Sequence, residues 1–153
     1  MKALVNGLLI LALAEVATPA KAQFSGSWTF DAARSENVGM MSAMQWTVAI
    51  RQAADRLILK DDTVFGGQHQ TRDVTYDLTG REVQNPGPMG ESCVTQTKWE
   101  GGALVTTWTS DGAVAGSKVV KIETRSLSAD GRTMRVESRR GLSSPLVMVF
   151  EKK

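Results

Sequence analysis

Few residues in this sequence are of the types that carry chemistry. His69, the single histidine, could accept a proton, and Cys93, the single cysteine, could act as a nucleophile, but neither has a partner of the other type nearby. Zinc sites built from these residue types need three or four ligands. Asp61 and Asp62 form the one candidate carboxylate pair, and they adjoin a predicted hairpin, where Asp commonly supports the turn. The sequence has no nucleophile elbow, phosphate loop or dinucleotide fingerprint. We therefore predict a protein that is not an enzyme, with no catalytic residue, metal or cofactor.

Composition indicates one ordinary globular domain. The chain has 153 residues, of which 42% are hydrophobic and 22% charged, and its formal net charge is +2. Such a slight positive bias does not favour nucleic acid as a partner. A single cysteine cannot form an internal disulfide, so we expect Cys93 to be a small buried apolar side chain.

The first 22 residues have the pattern of a secretory signal peptide. Lys2 precedes an apolar run from Ala3 to Leu13, and small residues follow as far as Ala20-Lys21-Ala22. The apolar run is much shorter than the roughly 20 residues of a transmembrane helix. We expect residues 1–22 to be cleaved, residues 23–153 to form the folded domain, and the product to be secreted or periplasmic without a transmembrane segment.

The remaining chain alternates between apolar and polar residues, which is typical of half-buried strands. Trp46, Val48 and Ile50 alternate with polar or small residues, and glycine-containing turn signals follow at short intervals, as at Gly66-Gly67 and Asp111-Gly112. The pattern predicts an antiparallel meander of nine or ten strands.

Two stretches interrupt the alternation. Asp31 to Ala43 could hold a helical turn or a loop across one end of the sheet, and it is the predicted lid. Met40, Met41 and Met44 could cover a ligand there or plug the end, because unbranched thioethers repack easily. Asn85 to Gly90 contains two prolines, so we expect an exposed loop.

The first and last predicted strands are both apolar enough to need partners. An antiparallel meander can avoid exposing unpaired edge strands by stacking as a sandwich or by closing as a barrel. Pairing of Phe24–Phe30 with Leu146–Lys152 would close it. Gly26-Ser27-Trp28 at the start of the domain resembles the Gly-x-Trp opening of the calycins, which include lipocalins and fatty-acid-binding proteins. The ending Met148–Lys152 and the segment Leu127–Glu137 are similar to the last strand and the penultimate hairpin of the fatty-acid-binding group.

This resemblance implies an all-β fold: a single antiparallel up-and-down β-barrel of about eight to ten strands, calycin/lipocalin-like, whose Trp28 packs across the closed end. Fatty-acid-binding proteins hold the ligand carboxylate with an Arg-x-Tyr pair in the last strand, where this chain has Met148 and Phe150. They also carry a two-helix lid, for which Asp31–Ala43 is too short. The resemblance therefore implies a carrier without that charged clamp, with an open or differently covered mouth.

The alternation gives an inward-facing set that we predict to be apolar. A small hydrophobic molecule, such as a lipid, could bind non-covalently inside, oriented by Thr106, Thr124 and Ser138. The alternatives are a barrel or sandwich filled by its own side chains, and a protein-binding module, an inhibitor or envelope-associated barrel without a pocket. Ile50 and Val136 complete the inward set, and the predicted ligand-binding residues are Trp46, Val48, Tyr76, Thr106, Trp108, Ile122, Met134, Met148 and Phe150.

The segment from Lys118 to Arg140 is the most basic part of the chain. Alternation places Lys121, Glu123 and Arg125 on the outer face beside a second mixed row, so that opposite charges pair across strands. A solvated, self-paired face is one interpretation, and contact with an anionic envelope surface or an acidic partner is the other. The second row is Arg135, Glu137 and Arg139.

Overall fold

The computed structural model describes residues 20–153, which form ten antiparallel strands. Residues 1–19, most of the predicted signal peptide, lie outside the described part. Two short 3-10 turns, Ala32–Arg34 and Gly39–Ala43, separate the first two strands. The strands are β1 Gly26–Phe30, β2 Gln45–Gln52, β3 Arg56–Phe65, β4 Gln68–Asp77, β5 Glu82–Pro86, β6 Ser92–Glu100, β7 Ala103–Asp111, β8 Lys118–Leu127, β9 Thr133–Arg140 and β10 Leu146–Lys152.

Each strand pairs with its neighbour in sequence except at the seam between β4 and β5, and β1 also pairs with β10. Trp28 lies opposite Lys152, and Phe30 lies opposite Phe150, in this closing pair. The predicted up-and-down barrel and its closure by the first and last strands are confirmed. One helical turn of the lid segment begins at Asp31, whose carboxylate accepts hydrogen bonds from the backbone N–H groups of Ala33 and Arg34.

The seam between β4 and β5 is joined by side chains, because no backbone ladder links these two strands among the described residues. The Asn85 amide group donates to the Thr75 carbonyl at 2.8 Å, and its oxygen accepts from the Thr75 N–H at 2.9 Å. It also donates to the Thr95 hydroxyl at 2.7 Å. The prediction of an exposed loop over Asn85–Gly90 is wrong at its start: Asn85 belongs to β5 and is only 5% exposed, because it supplies the hydrogen bonds that the missing ladder would have made.

One half of the barrel interior is filled. Phe24 and Trp28 are fully buried, and the Trp28 indole N–H donates to the Phe24 carbonyl at 2.9 Å. Burial of each such side chain contributes about 2–3 kcal/mol. The expected packing of Trp28 across the closed end is confirmed, and Leu57, Leu104 and Met134 complete this apolar plug.

The predicted facing of β8 is wrong. Trp108 on β7 lies opposite Lys121, so both side chains are on the inner face of the sheet. Lys121, Glu123 and Arg125 therefore point into the barrel, and Ile122 is outside with 46% of its surface exposed. A shift of one residue exchanges every side chain between the two faces of a strand, and β8 carries apolar residues on both faces, so alternation alone could not select the correct one.

Arg135, Glu137 and Arg139 are on the outer face of β9, as predicted, but the predicted pairing with charges across strands is wrong, because the β8 charges point inward and the β9 residues pair with one another. The Glu137 carboxylate accepts hydrogen bonds from Arg135 at 2.8 Å and from Arg139 at 2.7 Å. Both contacts hold the pKa of Glu137 below its usual range. No helix among residues 20–153 is long and apolar enough to cross a membrane.

Candidate functional site: a half-open barrel cavity with a charged floor

The other half of the interior is a cavity of about 610 Å³ that opens at the end of the barrel where β3 meets β4 and β9 meets β10. This volume lies within the range of small-molecule sites. Its outer wall is largely apolar. The apolar side chains come from the lid segment and the residue that follows it, from β3, from the β5–β6 connection and from β10, and are Met41, Met44, Phe65, Met89, Leu146 and Met148. Met41 and Met44 thus lie where a lid would contact a ligand, whereas Met40 is 81% exposed.

A smaller inner space of about 30 Å³ adjoins the floor of the main cavity. It is large enough for one water-sized polar group. Both spaces are bordered by the same charged side chains, which are Asp61, Arg72, Lys121 and Glu123.

Asp61 and Arg72 form the first ion pair of the floor. They are opposite each other on β3 and β4, and Arg72 donates to one Asp61 carboxylate oxygen through Nε at 3.0 Å and Nη2 at 2.5 Å. The Trp46 indole N–H donates to the other oxygen at 3.2 Å. Asp61 is buried within a strand, so the expected turn-supporting role of the Asp61-Asp62 pair is wrong: the turn is at Gly66-Gly67.

Glu123 is the centre of the second group of charges. Arg125 donates to its carboxylate at 2.9 Å, and the Lys121 ammonium lies 3.7 Å from it. Burial alone would raise the pKa of Glu123, but Arg125 and Lys121 outweigh burial and hold it below its usual range. The Tyr76 hydroxyl lies 3.5 Å from the same carboxylate, and burial, followed by the negative charge of Glu123, raises the pKa of Tyr76 well above its usual value.

Two buried N–H donors on the floor have no hydrogen-bond partner in the described structure: Arg72 Nη1 and Trp108 Nε1. A buried donor without a partner costs roughly 1–3 kcal/mol. The Lys121 ammonium lies 4.7 Å from the centre of the Trp108 ring, and the Arg72 guanidinium lies 5.9 Å from it. Three inward cations, Arg72, Lys121 and Arg125, face two carboxylates, so the floor has a net charge of +1. Unused donors and excess positive charge suit an anionic or strongly hydrogen-bond-accepting group.

The structure brings together most, but not all, of the predicted ligand-binding residues. Trp46 and Met148 border both spaces, and Val48, Tyr76, Trp108 and Phe150 border the inner one. Met134 belongs to the filled half of the barrel, and Ile122 is on the outer surface, which contradicts its predicted place. The ligand-binding roles of the residues that do face the cavity stay predictions.

Of the three polar residues expected to orient a ligand, only one borders the cavity. Ser138 borders the cavity, but Thr106 is hydrogen-bonded to Thr97 at 2.9 Å in the core. Thr124 is on the outer face of β8, for the same reason as Ile122. Sequence reasoning missed Asp61, Arg72, Lys121, Glu123 and Arg125. For the three residues on β8, one signal was available: Leu127 is on the same face of the strand as Lys121, Glu123 and Arg125, and it packs against the core.

Neither residue first considered for chemistry lies in this site. His69 is exposed and contacts Asp62 at 2.8 Å. Cys93 is buried, as predicted, and burial raises the pKa of its thiol. Among residues 20–153 no group of three or more His, Cys, Asp or Glu side chains is arranged to hold a metal ion.

Comparison with known proteins places the fold. The sequence matches no protein-family model and no curated protein. The structure is similar to "REP1-NXSQ fatty acid transporter" (TM-score 0.65, 20% identity, 84% of this chain and 95% of that chain). It is also similar to apo lipid binding protein 8 of Caenorhabditis elegans (TM-score 0.67, 14% identity, 88% and 100%). A third similar structure is a point mutant of the fluorescent protein UnaG (TM-score 0.64, 16% identity, 85% and 96%). The chain therefore has the fold of the calycin-like β-barrels to which these proteins belong.

Proposed function

We propose that the protein binds one small hydrophobic molecule carrying an anionic group, non-covalently and without chemical change, in the open half of the barrel. The observation that carries this proposal is a pair of unpartnered buried donors: Arg72 Nη1, whose side chain borders both spaces, and Trp108 Nε1, whose side chain borders the inner one. The apolar part of the ligand lies against the methionine-rich wall, and its anionic group reaches the floor.

The location of the anion site differs from the one that the sequence resemblance implies. Met148 and Phe150 occupy the Arg-x-Tyr positions of the fatty-acid-binding group, and both border the inner space as apolar side chains. Arg72 on β4 and Lys121 on β8 supply the positive charge instead. Arg72 binds Asp61 through Nε and Nη2 only, so its Nη1 has no protein partner that an anionic group would have to displace.

We also propose that the protein acts outside the cytoplasm, in the periplasm or the medium. The support is the sequence of residues 1–22, with its apolar run and small residues before Gln23. Expression in a bacterial host followed by intact-mass measurement tests this: a periplasmic product that begins at Gln23 supports the proposal, and an uncleaved cytoplasmic product contradicts it.

Two probes with the same chain, dodecanoate and dodecan-1-ol, test the anion site. We expect dodecanoate to bind at least about tenfold more tightly, since a charge-assisted hydrogen bond contributes about 1.5–3 kcal/mol. The preference should weaken severalfold in the double variant Asp61→Asn, Arg72→Met, which removes one of the two unpartnered donors and leaves no unpaired buried carboxylate, whereas Lys121 and Trp108 remain. The control variant Arg135→Met changes a residue on the outer surface of the barrel and should retain the preference for dodecanoate. Equal affinity for the two probes in the parent protein would contradict the proposal.

A further inference from the structure

Five of the seven large apolar side chains that are exposed among residues 20–153 are at one end of the barrel. In an up-and-down barrel alternate connections lie at the same end, so the β1–β2, β3–β4, β5–β6, β7–β8 and β9–β10 connections surround the cavity mouth. Four of the connections contain one exposed apolar residue, and Phe65, the last residue of β3, lies directly before the fifth. We call this set the apolar rim: Met40, Phe65, Met89, Val114 and Leu142.

The opposite end of the barrel has a different surface. Its four turns join β2 to β3, β4 to β5, β6 to β7 and β8 to β9, and none of them carries an exposed large apolar residue. The two remaining exposed apolar residues, Val120 and Ile122, are on the side of the barrel in β8. Exposed apolar surface is thus concentrated around the mouth.

The form of the apolar rim indicates its partner. Its residues protrude singly from separate connections, and Met89 is 91% and Val114 72% exposed. A specific protein partner buries a contiguous, shape-complementary patch, whereas a fluid lipid layer accepts separate side chains without such a match. Beside the β7–β8 connection the charged residues neutralise each other, because Lys118 pairs with Asp111. An uncharged lipid surface therefore fits better than a polyanionic one.

We propose that the apolar rim docks the open end of the barrel onto the surface of a lipid layer. Phe65 and Met89 belong both to the rim and to the cavity wall, so in the docked state the apolar wall continues into the acyl region. A hydrophobic molecule then passes between lipid and cavity without crossing water, which would cost about 0.8 kcal/mol for each exposed methylene. Docking goes beyond the proposed ligand binding and needs no bound ligand.

An environment-sensitive fluorophore on an introduced cysteine tests the docking in the full chain. It is attached through Leu142→Cys at the mouth or through Ala129→Cys at the opposite end, with Cys93→Ala in both proteins. On addition of phosphatidylcholine vesicles, and with no ligand added, we expect a blue shift at the mouth position only. This readout reports which end enters the lipid, so binding through residues 1–19 does not imitate it.

Two matched variants are made in the protein that carries the fluorophore at the mouth, through Leu142→Cys. Met40→Ser, Phe65→Ser and Met89→Ser together should raise the lipid concentration for the half-maximal shift by about tenfold or more. Val120→Ser with Ile122→Ser, which removes exposed apolar residues from the side of the barrel, should leave it unchanged. No shift at the mouth, or equal shifts at both ends, overturns the proposal. So does a shift that follows protein concentration without vesicles, which would identify a second copy as the partner. None of these results affects the dodecanoate experiment, so failure of docking and failure of ligand binding are distinguishable.

Discussion

Arg72 binds a single oxygen of Asp61 through two of its nitrogens and leaves the third, Nη1, buried without a partner. A bidentate fork would have used both carboxylate oxygens, but here the second oxygen accepts from Trp46. Arg72 therefore stabilises the barrel through its contact with Asp61 and also leaves one donor, Nη1, without a partner on the cavity floor.

Removing one member of the Asp61–Arg72 pair should destabilise the protein, whereas replacing both members should change the free energy of unfolding little. We expect Arg72→Met alone to lower the free energy of unfolding by about 3 kcal/mol, because it leaves Asp61 buried without its cation. The double variant Asp61→Asn, Arg72→Met should lie within about 1 kcal/mol of the parent, since no buried charge is left alone and Asn can still accept from Trp46. Urea denaturation measures both. A double variant that is as unstable as the single one would refute this account of the pair.

Stability should fall in acid partly through Glu123. Its pKa in the folded protein is below the ordinary value of 4.5, so it contributes stability that is fully present above pH 4.5 and is lost as the pH falls through the folded pKa. Glu123→Gln should therefore lower the free energy of unfolding by about 3 kcal/mol at pH 7 and make it less dependent on pH between about 5 and 3. Urea denaturation across this range gives both quantities.

Glu137→Gln is the control for Glu123. The Glu137 pKa is also lowered, by Arg135 and Arg139, but these partners are about half exposed, so solvent screening reduces the effect. If Glu137→Gln flattened the acid profile as much as Glu123→Gln, the buried cluster would not be the source of the pH dependence.

The seam between β4 and β5 should depend on one side chain. Asn85→Ala removes three hydrogen bonds, two to Thr75 and one to Thr95, and leaves buried backbone groups without partners. We expect a loss of about 2–4 kcal/mol in urea denaturation. Gln84→Ala changes the exposed neighbour on the same strand and should cost under about 0.5 kcal/mol. Similar losses for the two variants would mean that Asn85 does not hold the seam.

Filling the cavity should abolish binding while the barrel still folds. Thr63 borders the cavity beside Trp46 on the neighbouring strand, so Thr63→Trp occupies the ligand space. We expect its affinity for dodecanoate to fall by at least about tenfold with little change in thermal unfolding. Val64→Trp places the same side chain on the opposite face of β3 and should bind as the parent does. Unchanged affinity in folded Thr63→Trp would contradict the location of the site.

Alternation was sufficient to predict an antiparallel meander, because most strands are apolar on one face alone. The apolar first and last strands indicated the closing pair, and the resemblance to the calycins implied the barrel and the packing of Trp28 across its closed end. Three features were not accessible in this way. β8 has apolar residues on both faces, so its facing depends on the pairing of Trp108 with Lys121. Asp61 and Arg72 are eleven residues apart, and they meet through the register of the hairpin that turns at Gly66-Gly67, which alternation along single strands does not give. The role of Asn85 depends on a missing ladder, which no local pattern shows.

The wrong facing predicted for β8 also explains why the predicted ligand site was too apolar. Placing Lys121, Glu123 and Arg125 outside left an interior with no charge, and therefore a ligand with no specified polar group. With β8 turned to its actual facing, the cavity gains a cationic floor and the proposed ligand gains an anionic end.

Native mass spectrometry of the protein, expressed from its full sequence and purified without detergent, tests the central claim most directly. We predict an adduct of a few hundred daltons that organic extraction removes, that returns on incubation with dodecanoate, and that Thr63→Trp does not retain. A mass equal to that of the protein alone, both as purified and after incubation with dodecanoate or a lipid extract, would contradict the claim that this barrel carries a small amphiphile.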